Sequence, residues 1–184
     1  MKTLEFRVKE IHDDRMSSHE LLVSPAEIGL EIEDVRVVGH LYGRLQLLRR
    51  VGEVYVKSNF SALIEAPCRR CAEPFETHIE ADIEVQFYPT DESNPIEPLL
   101  IDAGVRYYSG ECIDLSEDVR QAITLEIPFW PLCAESCEGL CHHCGENLNI
   151  AACNCDALET VSQPLAVLAD LFNHPNRAVG NGSK

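Results

Sequence analysis

Apolar and polar residues alternate most strictly over Phe75–Phe87. The odd positions there are Phe75, Thr77, Ile79, Ala81, Ile83, Val85 and Phe87, and the even ones are Glu76, His78, Glu80, Asp82, Glu84 and Gln86. A period of two is that of a strand with one face in a core and an acidic face in water. Leu4–Val8 alternates in the same way. Glu31–Phe60 is mostly strand-like, with Leu41, Leu45 and Leu47 on one parity, Gly39, Gly43 and Gly52 as punctuation, and RRVGE (49–53) as a turn. Phe60–Ala66 reads as extended, so PCRRCAEP (67–74) falls at the tip of a hairpin. His19–Leu22 can open a helical turn.

TDESNPIEP (90–98) is an acidic, proline-bearing loop, and Leu99–Ile101 with Val105–Tyr108 frames a second hairpin around Asp102-Ala103-Gly104. Spacing then switches to helical. Over 114–128, Leu115, Val119, Ala122 and Ile123 share a side, Ser116 can cap, Glu117 and Asp118 suit the N-terminal end, and Pro128 stops the run. QPLAVLADLF (163–172) has Pro164 in its first turn and a stripe of Leu165, Leu168, Leu171 and Phe172, the pattern of a closing helix. These elements predict an α+β protein: an antiparallel, curved or barrel-like sheet with one mid-chain helix, a cysteine-rich zinc-binding segment and a C-terminal helix. Residues 1–128 form the mainly β region ending in a helix, 129–172 the cysteine-rich segment with its closing helix, and 173–184 a flexible tail.

The cysteines add chemistry to this outline. Of nine in 184 residues, six fall between Cys133 and Cys155. The N-terminus has no apolar signal region and no apolar run approaches the ~20 residues of a membrane span, so the expected compartment is the cytoplasm, where thiols stay reduced. Two thiolates separated by two residues can chelate one tetrahedral ion, and zinc takes four such sulfurs. Cys141, Cys144, Cys153 and Cys155 form a first expected site, with Gly145 supplying backbone freedom directly after Cys144. Cys68, Cys71, Cys133 and Cys137 form a second, which would fasten the hairpin tip to the cysteine-rich segment. An iron–sulfur cluster is the alternative use of four thiolates. Cys112 is left as a small apolar side chain, and His142 and His143 fill the loop between two ligands. With every position taken by protein sulfur, one or two structural zinc ions are expected, not a catalytic one. No Ser–His–Asp grouping, phosphate-cradling loop or catalytic carboxylate pair stands out.

Charge is divided along the chain. The net charge is −16, yet residues 1–70 hold 11 Lys/Arg against 11 Asp/Glu. Within them lie Arg36, Arg44, Arg49, Arg50, Lys57, Arg69 and Arg70, a candidate patch for RNA phosphates. The remainder carries 4 Lys/Arg against 20 Asp/Glu, which suits a basic protein partner.

The order CRRCAEPF (68–75), an IDL strand end, a helix finishing in IPFWPLC, PLCAESCEGLCHHCGENLN (131–149), a C-x-C and the PLAVLADLF helix resembles the YceD family of large ribosomal RNA subunit accumulation proteins, over about residues 30–172. His142 stands where many relatives carry proline. The resemblance implies a factor in synthesis, processing or stability of large-subunit ribosomal RNA, without a described catalytic activity. Such a factor would meet that RNA directly or through a basic ribosomal protein or assembly factor, with no membrane and no small-molecule substrate. The competing readings are a thiol redox enzyme or nuclease working through Cys68 and Cys71, and a zinc-dependent interaction module unrelated to ribosomes.

Overall fold

The computed structural model describes residues 3–90 and 105–155. The chain runs β1 (Glu5–Arg7), β2 (Ser17–Val23), β3 (Arg36–Arg50), β4 (Glu53–Pro67), β5 (Pro74–Pro89), β6 (Val105–Tyr108), β7 (Cys112–Asp114) and α1 (Ser116–Glu126). Strands β2-β3-β4-β5-β6 form a five-stranded sheet in sequence order, open at β2 and β6, and β1 pairs with β7 in a separate ribbon. The long strands β3, β4 and β5 form an antiparallel meander, as their alternation requires. The odd residues Ile79–Phe87 of β5 are buried against Val54, Val56, Phe60 and Ile64 of β4 and Leu41, Leu45 and Leu47 of β3. From the other side of this core α1 contributes Val119 and Ile123, with Leu115 just before it.

Three sequence expectations change. His19–Leu22 is part of strand β2, paired with β3 from Ser17↔Leu47 to Val23↔Leu41; most of its side chains are exposed, which removes any period-two signal. The sheet is mixed, not wholly antiparallel, because β6 lies parallel to β5, from Gln86↔Val105 to Pro89↔Tyr108. Ser116 does not cap α1. Its backbone N–H is instead taken by the Asp114 carboxylate at 2.8 Å, and its own hydroxyl is buried without a partner. The 90–98 loop, the Leu99–Ile101 strand, the 163–172 helix and the 173–184 tail lie, but for Thr90, outside the described residues. No helix among the described residues is long and apolar enough to cross a membrane.

The β3–β4 meander depends on one close approach. Gly43 faces Phe60 across the ladder, and a Cβ on Gly43 would stand 2.1 Å from the Phe60 ring. The ring lies over the glycine, so its full burial needs a residue with no side chain there.

Candidate metal centre

The β4–β5 hairpin closes with Pro67 opposite Pro74. Its tip is a tight knuckle. The Cys68 N–H donates to the Glu73 carbonyl at 2.9 Å, the Ala72 N–H donates to the Cys68 carbonyl at 2.9 Å, and the Arg70 N–H points at the Cys68 sulfur at 3.4 Å. Ala72 is left-handed, with φ 61°. The same pattern recurs 73 positions later. The Cys141 N–H donates to the Glu146 carbonyl at 2.8 Å, the Gly145 N–H donates to the Cys141 carbonyl at 2.9 Å, and the His143 N–H points at the Cys141 sulfur at 3.4 Å. Gly145 has φ 76°. Both C-x-x-C pairs therefore fold into one device, which brings two sulfurs together and aims backbone N–H groups at the first of them.

Each knuckle meets a second pair. The sulfurs of Cys68, Cys71, Cys133 and Cys137 lie within 4.8 Å of one another, and so do those of Cys141, Cys144, Cys153 and Cys155. These are the two groupings expected from spacing. In the hairpin cluster, Cys68–Cys137 and Cys71–Cys133 are each 3.8 Å apart, Sγ to Sγ. Four sulfurs placed tetrahedrally at about 2.3 Å from one ion stand about 3.8 Å from each other, so this donor set fits a single tetrahedral cation.

The protonation pattern is that of sulfurs competing for too few counter-charges. Burial pushes the Cys68 thiol up, but the backbone N–H groups of Cys133, Cys71 and Arg70 outweigh it and hold the thiol at about 6. Cys133 is pushed up to about 12 by burial and by the sulfurs of Cys137, Cys68 and Cys71. In the other cluster, the N–H groups of Cys144 and His143 hold Cys141 at about 6. Cys155 is pushed up to about 12, first by the Cys144 sulfur and then by burial. One thiolate forms readily in each cluster and the last is strongly opposed. A divalent ion at the centre reverses that opposition.

The clusters are also joined. The Leu140 N–H donates to the Arg70 carbonyl at 3.0 Å, and the Arg70 guanidinium donates to the carbonyls of Glu135 and Cys137, each at 3.0 Å. Gly139 passes so close that a Cβ would stand 3.0 Å from the Arg70 carbonyl oxygen. Asn149 donates to the Cys137 sulfur at 3.4 Å and accepts from the Glu138 N–H at 2.8 Å. The place of Asn149 between a cluster sulfur and a backbone donor has no signature in spacing. His142 and His143 are exposed, with ring centroids 3.9 Å apart and planes tilted by 42°, and belong to neither cluster. Cys112 lies in β7, apart from both.

The seven basic residues do not assemble into a free cationic face. Arg36 pairs with Glu65, Arg44 with Glu20, Arg49 with Asp13, Arg50 with Asp14 and Lys57 with Glu84. Arg49 is the most enclosed of these, making two bonds to Asp13 and a third to the Val8 carbonyl at 2.8 Å. Arg70 is committed to the cysteine-rich segment. Arg69 alone among the seven has no side-chain partner among the described residues.

A meander whose hairpin tip joins a cysteine-rich loop segment through two four-cysteine clusters defines a sulfur-clustered scaffold of the kind suggested by CRRC and CHHC. The family described as "Large ribosomal RNA subunit accumulation protein YceD" matches residues 56–172, and the chain belongs to it. That span holds all eight clustered cysteines. An uncharacterized protein of Mycobacterium tuberculosis is 31% identical over 131 residues, which cover 69% of this chain and 60% of the relative. One of Mycobacterium leprae is 27% identical over 126 residues, 68% of this chain and 57% of the relative. The chain thus spans about three fifths of the length of these curated relatives. A chloroplastic protein of Arabidopsis thaliana, "Large ribosomal RNA subunit accumulation protein YCED homolog 1", is 42% identical over 43 residues, 23% of this chain and 13% of that protein. No solved structure matches the chain.

Proposed function

We propose that the chain is a non-enzymatic factor supporting synthesis, processing or stability of large-subunit ribosomal RNA, shaped by two structural zinc ions. The observation that carries the role is the family match, which spans both knuckles and every clustered sulfur. Zinc is supported by the 3.8 Å sulfur separations. An iron–sulfur cluster sets several atoms between its thiolates and needs them farther apart than ligands of one ion. Four protein sulfurs per ion leave no position for water or substrate, which supports a structural role. The flanks of Cys68 and Cys71 are both strands, against the strand–CxxC–helix setting of a thiol oxidoreductase. Free, ion-ligating thiols suit a reducing compartment, so the protein acts in the cytoplasm.

Action through a basic ribosomal protein or assembly factor is favoured over direct RNA contact. Five of the seven candidate phosphate contacts already face carboxylates, and the whole chain carries −16. Elemental analysis of the natively purified protein is expected to find two zinc ions per chain. Depletion in cells is expected to lower the ratio of large- to small-subunit ribosomal RNA, with wild-type protein restoring it and a Cys71→Ser/Cys144→Ser double variant failing to. An unchanged ratio on depletion overturns the role, and metal-free native protein overturns the zinc assignment.

A further inference from the structure

Between α1 and the cysteine-rich segment, Phe129 and Trp130 are 93% and 61% exposed. Pro128 and Pro131 flank them. The chain bends at Phe129 and Trp130, between two prolines that cannot continue the helix. The Pro131 carbonyl accepts the Arg69 N–H at 2.9 Å, which ties the step to the hairpin tip. Facing it is the turn before β3, where the Val35 N–H donates to the Ile32 carbonyl at 3.3 Å and Asp34 is left-handed with φ 62°. The two walls enclose a groove of about 410 Å³, also lined by Glu33, Asp34 and Arg69. Neither Glu33 nor Asp34 has a side-chain partner among the described residues.

We propose that this groove docks a basic segment of a protein partner. An arginine or lysine lies over Trp130 and reaches Glu33 and Asp34, and an aliphatic neighbour packs on Phe129. An exposed aromatic face attracts a cation, and carboxylates beside it strengthen the choice. The charges decide between partners. A nucleic-acid base could stack on Trp130, but its phosphates would meet two carboxylates against one guanidinium on a chain of net −16. This inference rests on the protein-mediated reading above and names its surface.

Trp130 is the sole tryptophan of the chain, so its emission reports on the groove directly. The metal-loaded full chain is titrated with a short peptide alternating arginine and leucine, its glutamine-for-arginine twin, and a short oligouridylate. The arginine peptide is expected to shift Trp130 emission to the blue, the twin and the oligonucleotide to leave it in place. Glu33→Gln/Asp34→Asn, with zinc content checked as unchanged, is expected to weaken peptide binding about tenfold. Three results of the titration overturn the proposal. The oligonucleotide shifts the emission and the peptide does not; the peptide binds the double variant as tightly as wild type; or free-protein emission is already blue and unresponsive, as it would be with residues 156–184 over the groove. In depleted cells, full rescue by the Glu33→Gln/Asp34→Asn variant removes the groove and leaves the role standing, whereas failure of wild-type protein to rescue removes the role itself.

Discussion

Breaking one metal site at a time tests whether sulfur, and not packing, holds the cysteine-rich segment. Of the apolar residues from Cys133 to Cys155, only Cys137 and Cys141 are buried, and the main core includes no residue beyond Ile127. Fixing these 23 residues costs at least about 23 kcal/mol of backbone entropy at about 1 kcal/mol each. Two structural zinc ions at about 10–16 kcal/mol apiece supply about 20–32 kcal/mol, and one supplies half of that. Cys144→Ser should therefore leave one ion, in the hairpin site, with order kept near Cys133 and Cys137 and lost from about residue 141 onward. Cys71→Ser should do more. It releases the segment from the hairpin tip and leaves a lone loop site that a competing chelator strips readily. The β3–β4–β5 meander should stay folded in both, because its core is built without the segment. Metal content by elemental analysis and amide exchange resolved by peptide are the measurements. Slow exchange persisting across 133–155 after complete metal removal would refute the reasoning, since it would require a packing energy that the burial pattern lacks.

Other substitutions probe the scaffold. Val51 and Gly52 turn β3 into β4 with φ of 51° and 86°, and Val51 is 95% exposed; Val51→Asn should raise unfolding free energy by about 1 kcal/mol, and no gain in the urea midpoint would contradict the strain assigned to valine there. Gly43→Ala should cost about 2–3 kcal/mol, because the added methyl meets a Phe60 ring that is fully buried and has nowhere to move, and an unchanged midpoint would show that the ring yields. Glu117 is held at about 2, first by its hydrogen bonds from Arg120 and then by Gln121. A depressed carboxyl stabilises the fold above its ordinary value near 4.5 and loses that effect as pH falls toward 2. Glu117→Gln should thus melt lower than wild type at pH 6 and approach it at pH 2, and a pH-independent difference in melting would contradict the pairing.

How much of this was legible depends on where each signal is generated. Strand β5 could be read because every second residue enters one core, which imposes strict alternation on its sequence. Strand β2 could not, because at the sheet edge even Ser18, His19 and Glu20 in succession are exposed. The direction of β6 is set by the route the chain takes to reach it, and four residues of a short strand carry no record of that. The close cysteine pairs were readable because ligand spacing within a pair is a local constraint, whereas the joining of Cys68 and Cys71 to Cys133 and Cys137, 62 and 69 residues apart, followed only from counting four remaining thiols. The equivalence of the two knuckles was not readable, since Ala72 occupies the left-handed position that Gly145 advertises. The basic patch shows the limit of counting charges in a window. Asp13, Asp14 and Glu20, which neutralise Arg49, Arg50 and Arg44, lie before Arg36 in sequence, and Glu84, which faces Lys57, lies beyond Arg70.

That neutralisation and the knuckle pair bear on one question, which is what a partner would meet. The basic side chains along β3 and β4 are neutralised by carboxylates, whereas Glu76 and Glu80 on the outward face of β5 are exposed with no side-chain partner among the described residues. Unpaired charge and exposed rings come together at one place: Arg69, Glu33, Asp34, Phe129 and Trp130 meet at the junction where the hairpin site fastens the loop segment to the sheet. Arg69 sits between the two ligands of that site's knuckle, and Trp130 precedes Cys133 by three residues. A metal at Cys68, Cys71, Cys133 and Cys137 therefore fixes the groove as well as the segment, because it immobilises both of the groove's attachments at once. Loss of that ion should disturb recognition even where the sheet remains intact, and loss of the Cys141–Cys155 ion should disturb it less.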